Sequence, residues 1–325
     1  MDDRICELKN LIEVEMSLTD VSKKMGLSKN KIMGLVNILK EQEDINIVLA
    51  KKDDDIYLLN QGQREWNVKN TYKLSTTDNK LKLLLVSDSR MGSIFSQPSI
   101  LNELYLLAEQ EGIKHVIHLG NLTEGLYKMS NKMFDSLFVT DTYSQARYVI
   151  DNYPYIEGIK TYFITGSKDQ THLKEKKINI GKKISSGRTD MIYLGNGRCT
   201  LYIDNIEMLL LNSNQRKTYT QSYRAQKLID ALRSEDKPNF LIYGGLLQCE
   251  QYPYRDVEVL SIPSTCASTW EMEEKAFSNT IGGVILELEI DKKGNLKNFK
   301  PQQSIYYVTK ENDYKTAKIL KRGGK

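Results

Sequence analysis

A layered α/β domain preceded by a small helical module follows from three features of the chain. From Lys80 onward, short apolar runs alternate with amphipathic stretches, the pattern of strands and helices packed in layers. The first 62 residues instead carry helical spacing and close on a hairpin pattern. The length of 325 residues, 40% of them hydrophobic and 27% charged, suits two domains, one large enough for a full α/β core.

Taking the elements in order, Ile5, Leu8, Leu11 and Ile12 share one helix face. Leu18, Val21 and Met25 mark a second short helix, which Gly26 ends. Ser28 caps a third, whose buried stripe is Ile32, Leu35, Val36 and Leu39. INIVLA and IYLL then flank the polar turn KKDDD, a hairpin pattern. This order of elements resembles a winged helix-turn-helix domain over residues 1–62. The resemblance implies Lys29, Asn30, Lys31 and Asn37 in a major groove, with Lys51 and Lys52 on the wing against phosphate. The same fold also serves protein–protein contact. Nine Lys/Arg against twelve Asp/Glu, with Asp53, Asp54 and Asp55 at the wing tip, give this module a charge of −3 that repels a phosphate backbone. Residues 63–80 are polar and aperiodic and read as a linker or strap.

In the large domain, LKLLLVSDS, HVIHLGN, TYFITGS, IEMLLLNS and FLIYGG are strand-like, while ILNELYLLAEQEG, DTYSQARYVIDNY and QSYRAQKLIDALRS are helical. Function in such a sheet belongs to the loops just after the strands. Those loops are VSDSRMGS, HLGNLTEG, ITGSKDQTH, LLNSNQ and YGGLLQC. In spacing and order they resemble the calcineurin-like metallophosphoesterase family, whose loops read D-x-H-x-G, G-D-x-x-D-G, G-N-H-D, a lone His after a strand, and G-H-x-H. The resemblance covers roughly residues 81–290 and implies a β-sandwich flanked by helices, here bounded as residues 81–300.

The frame matches better than the ligands. Asp88 and Gly92 are kept in the first loop, but Arg90 stands where the family has His. Asn121 replaces the bridging Asp between Gly120 and Gly125, and Glu124 replaces a second acid. Ser167 and Lys168 replace Asn and His between Gly166 and Asp169. Asn212, or its neighbour Ser213, takes the place of the lone His, and Gly245 and Leu247 stand for the last two. A two-metal site needs several anionic or imidazole ligands around cations about 3.5–4 Å apart. The chain has three histidines: His115 and His118 on a buried strand, and His172 beyond the third loop. Arg90 and Lys168 bring fixed positive charge to the place of the metals and oppose cation binding. No cofactor is therefore expected, the alternative being two divalent metals such as manganese. Arg90, Lys168 and His172 are candidates for holding a phosphate without cleaving it.

Charge is uneven along the chain: of the overall +4, residues 292–325 carry +8, with ten Lys/Arg against two Asp/Glu. The basic extension over residues 301–325 is thus either the part that meets a polyanion or a solvated tail. Cys6, Cys199, Cys249 and Cys266 form no C-x-x-C pair and read as buried free thiols. Neither a roughly 20-residue apolar run nor an apolar leader marks the chain, so a cytoplasmic protein without membrane contact is expected. No P-loop or G-x-S-x-G elbow occurs, and LGNGRC has turn composition only. The Tyr-rich segments YPYI, YPYR and SIYY suit base stacking or edge packing.

The function these observations favour is a catalytically inactive metallophosphoesterase-like protein that binds nucleic acid or assembles with protein partners in a nucleic-acid-processing complex. Two alternatives stand beside it. One is an active metal-dependent phosphodiesterase or nuclease using Asp88, Asp169, His172 and Glu124. The other is a winged-helix transcription regulator whose large domain senses a phosphorylated ligand.

Overall fold

A computed structural model describes residues 2–41, 45–52, 55–63, 70–74, 79–212, 222–233 and 237–323. By internal contact the chain divides into two units, Met1–Val68 and Lys69–Lys325.

The first unit runs α1 (Asp2–Leu11), β1 (Met16–Ser17), α2 (Leu18–Met25), α3 (Lys29–Glu41), β2 (Ile45–Lys52) and β3 (Asp55–Gln63). Its helices bury one stripe each: Ile5, Leu8 and Ile12; Leu18, Val21 and Met25; Ile32, Val36 and Leu39, all against Ile47 and Leu58 of the sheet. Ser17 starts α2 by accepting Asp20 N–H at 3.1 Å, and Gly26, at φ 62°, ends it in the left-handed region. The Ser28 hydroxyl accepts Lys31 N–H at 3.4 Å and starts α3. The strands pair antiparallel in the order β1-β3-β2. At the expected wing tip, Asp53 and Asp54 lie outside the described residues. Asp55 is not a free tip charge, for it accepts Thr19 N–H at 3.2 Å and pairs with Lys29 at 3.5 Å. The Thr19 side-chain hydrogen bond, helped by Lys29 and backbone donors, holds its carboxyl at about 2.

The second unit continues with β4 (Thr71–Leu74), β5 (Lys80–Val86), α4 (Pro98–Gln110), β6 (His115–His118), α5 (Thr142–Asn152), β7 (Tyr155–Ile156), β8 (Lys160–Thr165), α6 (Gln170–Lys176), α7 (Ile180–Gly187), β9 (Met191–Asn196) and β10 (Arg198–Ile203). Then come β11 (Ile206–Asn212), α8 (Ser222–Asp230), β12 (Phe240–Gly244), β13 (Glu250–Tyr254), β14 (Val257–Ser261), α9 (Trp270–Glu274), β15 (Gly282–Ile290), β16 (Leu296–Ile305), α10 (Asp313–Thr316) and β17 (Lys321–Arg322). They build two six-stranded sheets, ordered β13-β14-β12-β11-β10-β4 and β16-β15-β5-β6-β8-β9. Strands β5, β6, β8 and β9 are parallel, as are β11, β12 and β14.

Alternation along each strand explains the layering. Leu83 and Leu85 of β5 join Phe240 and Ile242 of β12 in the core between the sheets. Their neighbours Leu84 and Val86 face α4, α5 and α7, through Leu101, Leu104, Val149 and Ile184. On the other side Leu241 and Tyr243 face Ala225 and Ile229 of α8. A period-two strand with both faces apolar must be covered twice, which yields helix, sheet, sheet, helix. This is the expected α/β sandwich flanked by helices.

Three expectations need correction. Residues 71–74, inside the expected linker, form β4, which pairs in parallel with β10. The expected basic extension over residues 301–325 is docked over its described part, 301–323: β16 runs through Ile305, β17 pairs with β7, and Arg322 pairs with Glu109. Between them Asp313, fully buried, accepts Ser99 N–H at 2.7 Å and Ser99 Oγ–H at 2.5 Å, capping α4. Cys6 is exposed and Cys249 only half-buried, while Cys199 and Cys266 are buried as expected. Among the described residues no helix is long and apolar enough to cross a membrane.

Candidate functional site

Parallel strands that end together bring their following loops together, and here β5, β6, β8, β11 and β12 deliver them to one edge of the sandwich. Asp88 N–H donates to Gly120 O at 3.0 Å, Arg90 N–H to Asn121 O at 3.0 Å, and Met91 N–H to Leu122 O at 2.7 Å. These bonds lock the first loop to the second. Asp88, Arg90, Asn121 and Leu247 all have positive φ, between 45° and 64°. Asp and Asn tolerate this region, whereas for Arg and Leu it costs on the order of 1–3 kcal/mol. The second and third loops touch so closely that a Cβ on Gly120 would lie 2.7 Å from Gly166 N.

Within this frame Asp88 is wholly buried and accepts three hydrogen bonds. Its Oδ2 accepts Ser87 Oγ–H at 2.7 Å and Gly245 N–H at 3.0 Å, and its Oδ1 accepts Asn121 Nδ2–H at 2.8 Å. Asn121 turns its other end to the third loop, where Oδ1 accepts Lys168 N–H at 2.9 Å. Asn212 ties the same loop to the second strand end: it accepts Ser167 N–H at 3.2 Å and donates to Leu119 O at 2.6 Å. Gly245 contributes only backbone. Leu247 is buried against Cys266 and Met272.

Arg90 fills the centre. Only 1% of its side chain is exposed, and its guanidinium lies 3.5 Å from Asp88 Oδ1 and 3.7 Å from Glu124 Oε1, both of fully buried side chains. Burial opposes its charge, but the carboxylates of Glu124 and Asp88 outweigh that and push its pKa up. Burial likewise pushes the neighbouring Cys266 thiol up to about 12, so it is no thiolate. Lys168 brings a second cation, 3.4 Å from Glu124 and 3.3 Å from Glu271, and donates to the Tyr127 hydroxyl. Burial opposes ionisation of Glu271, yet Lys168 and Lys275 hold its carboxyl at about 2.

Asp169 serves as a loop staple. Its carboxylate accepts Leu122, Thr123 and Gly166 N–H and the Thr123 hydroxyl, at 2.8–3.2 Å. Burial nonetheless raises it to about 6. His172 is fully buried, with Nε2 3.2 Å from Thr123 Oγ1 and Nδ1 2.9 Å from Thr142 Oγ1. Burial lowers it to about 4 and keeps it neutral. His118 Nδ1 accepts Gly120 N–H at 3.2 Å, so Nε2 carries the proton and donates to Ser89 Oγ at 3.1 Å. That tautomer cannot take a proton from Ser89, and the pair is no nucleophilic dyad. His115 is half-buried against the Tyr162 ring, 5.7 Å away.

The expected phosphate cradle is therefore closed. Arg90 and His172 present no surface, and Lys168 spends its charge on Glu124 and Glu271. Nor do the donors fit the pair of divalent cations that the family resemblance implies. Asn121 offers the space between Asp88 and Lys168 an amide, and a guanidinium stands between the two carboxylates that would have to bind. Among the described residues no group of three or more His, Cys, Asp or Glu converges on a point where a metal ion could sit. Ser213 lies outside the described residues.

In the first unit, Lys29, Asn30, Lys31, Asn37 and Lys51 are exposed, with Lys29 already paired to Asp55. The side chain of Lys52 lies outside the described residues. Tyr127, Cys266 and Glu271, all part of the central cage, carry no sequence signal, because their loops meet the others only through the fold.

No family model matches the sequence, and no curated protein matches it. Solved structures with a similar fold include an archaeal phosphodiesterase at 13% identity, over 69% of this chain and 100% of that one, with a TM-score of 0.39. A predicted phosphoesterase from Streptococcus pneumoniae is similar at 11% identity, over 69% and 98%, with a TM-score of 0.34. Zinc-complexed Vps29 from Entamoeba histolytica is similar at 14% identity, over 69% and 99%, with a TM-score of 0.36.

Proposed function

We propose that this chain is a phosphoesterase-like protein without phosphoester chemistry, used as an assembly subunit whose first unit is a winged helix. One observation carries the reading: Arg90, buried to 1%, lies between Asp88 and Glu124 where a hydrolytic site needs a cation and a path for water. A site that is closed, charge-paired and held in strained backbone is a scaffold rather than a substrate pocket. Its regular sandwich then serves to present surfaces to a partner. The test has two arms. Purified full-length protein with manganese is expected to leave bis-p-nitrophenyl phosphate and single-stranded DNA uncut, and turnover that disappears in Asp88→Ala would overturn the reading. Tagged protein from its native host is expected to bring down a stoichiometric protein partner.

Exposure of Asn30, Lys31 and Asn37 on α3 and of Lys51 on β2 favours a second reading, in which that subunit also touches nucleic acid. Against it stand the −3 charge of residues 1–62 and the Lys29–Asp55 pair. Retardation of duplex DNA that weakens with salt and with Lys31→Ala/Lys51→Ala would support it.

A further inference from the structure

We propose that Arg90 is a built-in cation: its guanidinium holds the strand-end loops together by charge, and its removal turns Asp88 and Glu124 into a weak site for a hard divalent ion. The idea rests on the same cage as the assembly reading, though the two fail in different experiments. Charge-assisted N–H···O bonds measure about 2.7–2.9 Å, yet the guanidinium stands 3.5 Å from Asp88 and 3.7 Å from Glu124. Its Nε and Nη2 have no hydrogen-bond partner, although both are buried. A residue selected for its planar fork would lie closer and use those donors. Arg90 instead acts as a point charge, the part a metal ion plays.

The carboxylates would stay in place without it. Asp88 keeps its three donors from Ser87, Asn121 and Gly245. Glu124 keeps Tyr127 and Lys168 on Oε1, while its Oε2 is buried and without a hydrogen-bond partner. Two oxygen-bearing anions from different loops, with water completing the shell, are the donor set that Mn²⁺ or Mg²⁺ accepts. Lys168 remains nearby and keeps such binding weak.

Thermal melting of the full-length protein, in EDTA and in millimolar MnCl₂, tests this with Arg90→Met, Arg90→Lys and Arg90→Met/Glu124→Gln. Wild type is expected to melt at one temperature in both buffers. Arg90→Met should melt lower in EDTA by on the order of 10 °C, because it leaves buried charge uncompensated, and should regain part of that with Mn²⁺. Arg90→Lys should retain most of the stability. The double variant should recover without Mn²⁺ and ignore it. A wild type that gains as much from Mn²⁺ as Arg90→Met, a folded Arg90→Met that gains nothing, or a double variant no more stable than the single one would overturn the proposal. If Arg90→Met does not fold, folding of the double variant supports it and failure of both overturns it. Hydrolysis by wild type would sink the assembly reading and leave this measurement standing.

Discussion

Asn121 donates from Nδ2 to Asp88 Oδ1 at 2.8 Å, so an amide N–H meets the carboxylate where a second carboxylate would repel it. The same amide accepts Lys168 N–H through Oδ1. Asn121→Asp keeps the acceptor and replaces the donor with an anion against a wholly buried Asp88. The variant is expected to lose about 1–3 kcal/mol at pH 7. Part of this should return below about pH 5, since two carboxyls in contact share one proton and one pKa rises. Urea unfolding at the two pH values checks it, and an equal loss at both would show that repulsion is not the cause.

Much of this site is legible in the sequence because each buried parallel strand is a continuous apolar run followed by a turn. Val86, His118 and Thr165 end such runs, and Asp88, Asn121 and Lys168 follow two or three residues later. The edge strands β13 and β16 are not legible. EQYPY and LKNFKPQQSI are half-exposed and broken by Pro253 and Pro301, as edge strands often are. Nor could spacing reveal that Glu271 reaches Lys168, 103 residues away, or that Asp313 reaches Ser99, 214 residues away. The basic tail reads as free because charge composition does not report its docked contacts.

Acid should destabilise the protein through two buried histidines. Burial lowers His172 from 6.5 to about 4 and His118 from 6.5 to about 3, so the unfolded chain binds protons that the folded one refuses. Their contribution is complete above pH 6.5 and is lost as pH falls, at up to about 1.4 kcal/mol per unit for each histidine. Asp169 has the opposite sign. Raised from 3.8 to about 6, it binds a proton in the fold that the unfolded chain has released, so its effect weakens the fold as pH rises through that window. Two histidines against one aspartate leave a net loss between pH 6 and 4. His172→Gln should reduce the slope of stability against pH by up to one proton there; an unchanged slope contradicts the assignment.

The docked C-terminal segment supplies what α4 lacks at its start. Gln97 provides no side-chain cap, and Asp313 supplies it from the other end of the chain. Asp313→Ala is expected to cost about 1–2 kcal/mol, in the range of a lost N-cap. It should also speed hydrogen exchange at Ser99 and Ile100. Exchange there equal to wild type would mean that the tail rests on the helix without holding it.

Two glycines separate backbone need from backbone slack. Gly120, at φ 90°, has Gly166 N where its Cβ would go, so Gly120→Ala combines an unfavourable conformation with a clash between two loops. Loss of several kcal/mol is expected, because neither backbone can yield without moving Asn121 away from Asp88 and Lys168. Gly34 lies exposed in the middle of α3, with nothing within 4 Å of the point a Cβ would occupy. Gly34→Ala should therefore stabilise the first unit by about 0.5–1 kcal/mol through a less mobile unfolded chain. Chemical denaturation monitored on full-length variants distinguishes the two. A Gly34→Ala variant no more stable than wild type would show that the unfolded chain's freedom at this point is not what the substitution removes, since no contact in the fold opposes the added methyl group.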